Sequence, residues 1–129
     1  MLARVVRFAK PASATATAFL KAGRRKAMEI AIVCVAAQLR LDAGERCTKA
    51  RIALGAVSQT CLRAHAAERA LEGGRVGEEA FLAAARLAAD ATDPLDDVRA
   101  SARYRRHLVA VLVARALRCC RTRIQEMGS

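Results

Sequence analysis

The stretch VCVAAQLRLDAGERCTKARIALGA, residues 33 to 56, decides the fold. Val33, Val35, Ala37, Leu39 and Leu41 alternate with Gln38, Arg40 and Asp42. That period of two belongs to a strand with one face in a core and the other in water. Asp42 to Arg46 follow as a turn, with Gly44 the residue free to take a positive φ. The alternation then resumes, with Ala50, Ile52, Leu54 and Ala56 on one side and Lys49, Arg51 and Ala53 on the other. Two amphipathic runs around a short glycine turn specify an antiparallel hairpin.

Upstream, LARVVRFAK (2–10) reads as a short strand ended by Pro11. PASATATAFLKAG (11–23) passes from a loop of small residues into a further strand, with Thr17, Phe19 and Lys21 on one side. GRRKAM (23–28) is a basic turn or loop, and the hairpin's first strand is read over 29–42. After residue 60 the period changes. LRAHAAERALEG (62–73) is predicted as a helix ended by Gly73-Gly74. GEEAFLAAARLAADAT (77–92) is a second helix, with Glu78 and Glu79 where the helix dipole favours acids. Asp93-Pro94 marks a break, and residues 101–127 form a long third helix. Its apolar stripe is Val109, Val113, Ala116, Leu117, Cys120 and Ile124. Strands followed by helices indicate α+β: an antiparallel sheet of three or four strands packed against a three-helix layer.

Composition narrows the function classes. The chain has 129 residues, enough for one ordinary domain, and is 54% hydrophobic, which excludes general disorder. Three Phe, one Tyr and no Trp argue against a stacking platform for single-stranded nucleic acid. The net charge of +11 suits nucleic acid, an anionic membrane or an acidic protein partner. It is uneven: residues 1–28 and 99–123 carry basic side chains and no acid, whereas acids dominate 72–97. The RYRRH run (103–107) is followed by a turn too apolar for a basic recognition helix, so no nucleic-acid partner is expected. The apolar run IAIVCVAA (30–37) is too short to span a membrane, and the N-terminus lacks the apolar region of a secretory signal. Five cysteines, an odd count without a CxxC, indicate a reduced, cytoplasmic chain.

Motifs for chemistry are few. His65 and His107 have no partner at metal-ligand spacing, and neither a paired-cysteine zinc signature, a P-loop nor a nucleophile elbow occurs. Asp93, Asp96 and Asp97 read as helix capping rather than as a cation site. No GxGxxG fingerprint for a dinucleotide is present. KAGRRKA (21–27) is the strongest charge cluster, read either as a solvated loop or as a cationic flank for a phosphate or an electron-rich ring.

Three blocks carry a resemblance: AFLKAGRRKAMEIAIVCVAAQLRLD (18–42), CTKARIALGAVSQTCLRAHAAERAL (47–71) and DPLDDVRASARYRRHLVAVLVARAL (93–117). In this order they resemble the C-terminal domain of the FAD-binding (medium) subunit of molybdenum hydroxylases, the relatives of xanthine dehydrogenase and carbon monoxide dehydrogenase. The resemblance implies a domain over 14–126, with 1–13 a remnant of a preceding FAD-binding subdomain or a tail. It implies a third subdomain packed beside FAD, which is held mainly by two N-terminal subdomains. Electrons would pass from a molybdenum cofactor on a large subunit, through iron–sulfur clusters on a small subunit, to FAD and an acceptor.

The cofactor-binding residues it implies are Lys21, Arg24, Arg25, Glu29 and Ile30, with Lys21 the foremost candidate for a flavin contact. No residue is implied as catalytic and none as a metal ligand, so the isolated chain is not expected to be catalytic. AVSQTCLRA (56–64) departs from the family form AVAPTPLRA, placing Gln59 and Cys61 where prolines usually stand. Cys61 thereby reads as a substituted loop position rather than a reactive thiol. A stand-alone interaction module that kept the fold and lost the flavin is the alternative.

Overall fold

The computed structural model describes residues 14–23, 31–55, 62–92 and 102–127. Four strands, β1 (Ala14–Gly23), β2 (Ala31–Leu41), β3 (Cys47–Gly55) and β4 (Leu62–Arg63), precede three helices, α1 (His65–Leu71), α2 (Glu78–Asp90) and α3 (Ala102–Met127). The sheet is antiparallel throughout and keeps sequence order, β1-β2-β3-β4. The expected α+β architecture is observed, with four strands. The strand expected at 2–10, the basic turn near 24–28 and the Asp93-Pro94 break lie outside the described residues.

The alternation sorts the sheet's faces as the hairpin pattern requires. Val33, Val35, Ala37, Leu39, Leu41, Ala50, Ile52 and Leu54 are all buried, joined from β1 by Ala16 and Ala18. The stripe of α3 at Val109, Val113, Ala116, Leu117 and Cys120 closes over this face, while Ile124 is half-buried at its end. Helix α3 lies along β1 and β2, α1 lies against β3, and α2 rests on both helices. Alanine at so many core positions lets helices and sheet approach closely, and among the described residues Phe81 of α2 is the largest fully buried side chain.

The hairpin turn differs from the sequence expectation. The positive φ falls on Glu45, at 62°, not on Gly44. Glu45 N–H donates to the Asp42 carbonyl (3.0 Å), closing a turn around Ala43 and Gly44. A left-handed residue follows such a turn so that the strands rejoin with the right twist, and that position is 45. Asp42 Oδ1 accepts from the Gly44 and Arg46 amides (2.9 and 3.0 Å), fixing the loop from inside. The Glu45 carboxylate is held by Arg121 Nη2 and Gln125 Nε2 of α3, both at 3.0 Å, which offsets the left-handed backbone. These two bonds, Gln125 first, hold its carboxyl below the usual range.

The first helix also differs. Leu62 and Arg63 pair with Leu54 and Ala53 as β4, and α1 begins only at His65. The cause is the outer edge of β3. Ala64 N–H donates to the Ile52 carbonyl (2.9 Å), so the chain stays extended to that point. Two α1-segment carboxylates then take the next edge amides: Ile52 N–H donates to Glu68 Oε2 at 2.8 Å and Ala50 N–H to Glu72 Oε2 at 3.0 Å. Further along, Cys47 N–H donates to the Gly74 carbonyl (2.8 Å) and Gly73 N–H to the Cys47 carbonyl (2.7 Å). Gly73 reaches that carbonyl at φ 90°, a conformation that suits glycine and ends α1 where the sequence predicts.

Glu68 is buried and also receives Arg63, Nη2 to Oε1 at 2.7 Å and Nε to Oε2 at 3.0 Å. Burial raises its carboxyl pKa, but Arg63 and the Ile52 amide outweigh that, and the net shift is downward from 4.5. A depressed folded pKa gives stability that is present above the unfolded value and lost as pH falls through the folded one. Glu68→Ala is expected to cost about 2–3 kcal/mol in urea unfolding at pH 7, because a buried amide and a guanidinium lose their acceptor. Glu68→Gln should cost less and flatten the fall in stability below about pH 4.5. Equal stability of Glu68→Ala and the parent chain would refute this reading of the edge.

The thiols give a second check. Cys47 and Cys120 are buried, and burial pushes each pKa up to about 11. Alkylation at pH 8 should spare both in the folded chain and modify both in denaturant, read by mass mapping. Rapid native modification of either would show the core to be open.

Candidate functional site

Helices cover one face of the sheet, and the other face is built by the residues that alternate with the core. Cross-strand pairing sets them in rows. Lys21 stands beside Cys34, and Cys34 beside Gly55. The next row is Phe19, Ala36, Ala53 and Arg63, followed by Thr17, Gln38 and Arg51, then by Thr15, Arg40 and Lys49. No described residue in these rows is acidic. Phe19 is 62% exposed, the most exposed large apolar side chain among the described residues. The small side chains of Ala36 and Ala53 leave a shallow floor beside it.

A concavity of about 670 Å³ lies over this floor, walled by Phe19, Thr17, Gln38, Arg51, Arg63 and Arg123. Each guanidinium is oriented by a partner. Arg63 is held by Glu68, and Arg51 Nη1 bonds its own carbonyl neighbour, that of Ala50 (3.0 Å), 3.7 Å from Glu72. Arg123, from the end of α3, donates to the Thr17 carbonyl across the β1 edge. Arg40 Nε donates to Thr15 Oγ1 at 3.3 Å. The face therefore offers a flat apolar centre, directed guanidiniums and exposed ammonium groups at Lys21 and Lys49. It suits recognition of an anionic or electron-rich surface. Nucleophilic chemistry has no support in the geometry: Cys34 is half-buried and has no histidine across the strand.

Of the implied site residues, Lys21 is exposed at the end of β1 on this face. Arg24, Arg25, Glu29 and Ile30 lie outside the described residues, as does Cys61. The spacing of Thr17, Phe19 and Lys21 places them together, and the structure does so. Arg51, Arg63 and Arg123 were not singled out. Arg51 was legible as an outward strand residue, whereas Arg63 and Arg123 reach the groove from distant segments. Among the described residues no three His, Cys, Asp or Glu side chains converge as a metal site, and no helix is long and apolar enough to cross a membrane.

Comparison with known proteins places this geometry in a family. Among curated proteins no sequence match is found. Among solved structures, carbon monoxide dehydrogenase from Hydrogenophaga pseudoflava, in a form lacking the Mo-pyranopterin moiety of its cofactor, is 35% identical with a TM-score of 0.79, matching 85% of this chain and 38% of that one. Quinoline 2-oxidoreductase from Pseudomonas putida 86 is 34% identical (TM-score 0.75, 83% of this chain and 37% of that one). Reconstituted CO dehydrogenase from Oligotropha carboxidovorans is 31% identical (TM-score 0.77, 84% and 37%). The chain thus spans less than two fifths of the relatives it matches, 38% of the first. Residues 18–120 match the CO dehydrogenase flavoprotein C-terminal domain, and this chain belongs to that family.

Proposed function

We propose that this chain acts as the third subdomain of the FAD-binding subunit of a molybdenum hydroxylase. In this reading it packs beside the flavin and assists electron transfer from iron–sulfur clusters through FAD to an acceptor. Its partners are the FAD-binding N-terminal subdomains, a molybdenum-binding large subunit and an iron–sulfur small subunit, in the cytoplasm. The observation that carries the reading is the family match over 18–120, which contains the whole segment 21–31 that flanks the flavin in the resemblance.

Lys21, the described residue of this set, is compatible with such a group. Pairing along β1 and β2 fixes the Lys21 backbone, and Lys21 stands exposed beside Cys34, with Gly55, which has no side chain, next in the row. Bound FAD supplies the redox chemistry, and a nearby cation favours its reduced, anionic state. Lys21 contributes that charge and a hydrogen-bond donor. Arg24, Arg25, Glu29 and Ile30 complete the proposed contact segment. None transfers a proton to or from the hydroxylated substrate; the domain orients and biases the cofactor.

The alternative is a stand-alone interaction module that kept the fold and no longer meets flavin. FAD titration separates the two, using this chain, the FAD-binding remainder of the Hydrogenophaga flavoprotein chain, and both together. The flavoprotein reading expects tight binding only for the pair. Lys21→Ala should then weaken FAD about tenfold or more and lower the flavin reduction potential, with Lys21→Arg restoring most of the potential. A pair that binds FAD no better than the remainder alone, or a potential indifferent to Lys21, favours the alternative.

A further inference from the structure

We propose that the outer edge of β1 pairs antiparallel with the β1 edge of a second copy of this chain, and that Arg123 is the latch that holds this pairing in check. The proposal is independent of the flavoprotein reading above.

Strand parity opens the edge. In an antiparallel ladder a residue's N–H and C=O point the same way. The Thr17 carbonyl takes Arg123 at the outer edge, so Thr15, Thr17, Phe19 and Lys21 turn their backbone groups outward. Ala16, Ala18 and Leu20 turn theirs toward β2. The same parity carried across the sheet puts the Ala50 and Ile52 amides on the far edge, where Glu72 and Glu68 take them. The two edges are therefore treated differently. The β3 edge has these amides capped, whereas no described residue accepts from the outward amides of β1. The usual defences of an edge are also missing. Residues 14–20, ATATAFL, contain no charge, proline or glycine, and β1 runs for 10 residues. Long, uncharged edges of this kind add strands.

A second copy fits this edge. A two-fold axis at Ala18 sets Thr17 opposite Phe19 of the second copy and Thr15 opposite its Lys21, with no like charges facing. The two Phe19 rings, each 62% exposed, then stand on the diagonal within reach of each other. The helices agree with this arrangement. Helix α3 lies along β1 and β2. With strands about 4.8 Å apart, an axis midway between these two stands about 10 Å from its symmetry mate, the spacing of packed helices. The row of α3 that carries Arg123 also carries Cys119, Leu112 and Leu108, at helical steps of four and seven. Cys119 and Leu108 are half-buried, as is Leu20 of β1, so an apolar row runs above the edge. Arg123 is the exception in that row. Its guanidinium occupies the Thr17 carbonyl and must swing away before the Phe19 amide of a second copy can donate there.

Sedimentation equilibrium of the full chain at rising concentration tests the pairing, with Phe19 amide exchange followed by NMR. Arg123→Ala removes the latch. It should move from 13.8 kDa toward twice that mass at concentrations at least tenfold below those the parent needs, with Phe19 exchange slowing in step. Thr17→Pro deletes an outward amide that β1–β2 pairing does not use, and edge strands tolerate proline at such positions. Cys119→Arg places a charge between the two helices. Combined with Arg123→Ala, each of these should restore the monomer, whereas Leu87→Glu, on α2, should leave association unchanged. Melting temperatures identify a variant that fails to fold, and the two blocking changes lie on separate elements, so either one alone decides. An Arg123→Ala chain that stays monomeric would overturn the proposal. So would association that persists in folded Thr17→Pro and Cys119→Arg variants, or a Phe19 amide indifferent to concentration.

Discussion

Glu68 Oε2 receives the Ile52 amide at 2.8 Å while its Oε1 receives Arg63 Nη2 at 2.7 Å, and the layout of the domain depends on this double contact. A sheet edge that is buried beside a helix needs an acceptor for every amide. Strand β4 is only two residues long and cannot meet that need along β3. Helix α1 and the residues after it supply the remainder, through Glu68, Glu72 and the backbone of Gly73 and Gly74. The helix is thereby fixed against β3 by hydrogen bonds as well as by Ala67 and Leu71 in the core. Because the Glu68 and Glu72 acceptors are charged, those two contacts are stronger than an ordinary amide–carbonyl bond and harder to lose.

This edge also shapes the exposed surface. Arg63 leaves β4 toward the open face yet is drawn back to Glu68, and Glu72 stands near Arg51 in the same way. The carboxylates thus align one wall of the groove while they complete the ladder. At the other end of the sheet, α3 fastens the β2–β3 turn through Arg121 and Gln125 on Glu45. It also ties α2 through Arg118 on Glu78, 2.5 Å at its shortest, an exposed pair that adds orientation more than stability. Among the described residues, helices gather on one face of the sheet and leave the other exposed.

The sequence makes much of this legible, for reasons that differ by element. Strands β2 and β3 alternate cleanly because one side meets helices and the other does not, so their core faces could be read directly. The apolar stripe of α3 was visible for the same reason at a period of 3.6. The start of α1 was not, because Leu62 to Leu71 has continuous helical composition, and only the need of the β3 edge keeps residues 62 and 63 extended. The left-handed residue of the turn was misplaced because glycine permits that conformation, whereas the bonding of Asp42 decides where it falls. On the open face, Thr17, Phe19 and Lys21 were legible together through alternation. Arg63 and Arg123 were not, since they come from segments remote in sequence and are aimed by Glu68 and the Thr17 carbonyl.

Native-state amide hydrogen exchange at Ile52, followed by NMR in the intact chain at neutral pH, tests the central claim most directly. If Glu68 stands in for a strand partner, the Ile52 amide exchanges as slowly as the interior amides of β2, opening only with global unfolding. An Ile52 amide that exchanges at the rate of a free strand edge, while β2 stays protected, would contradict it.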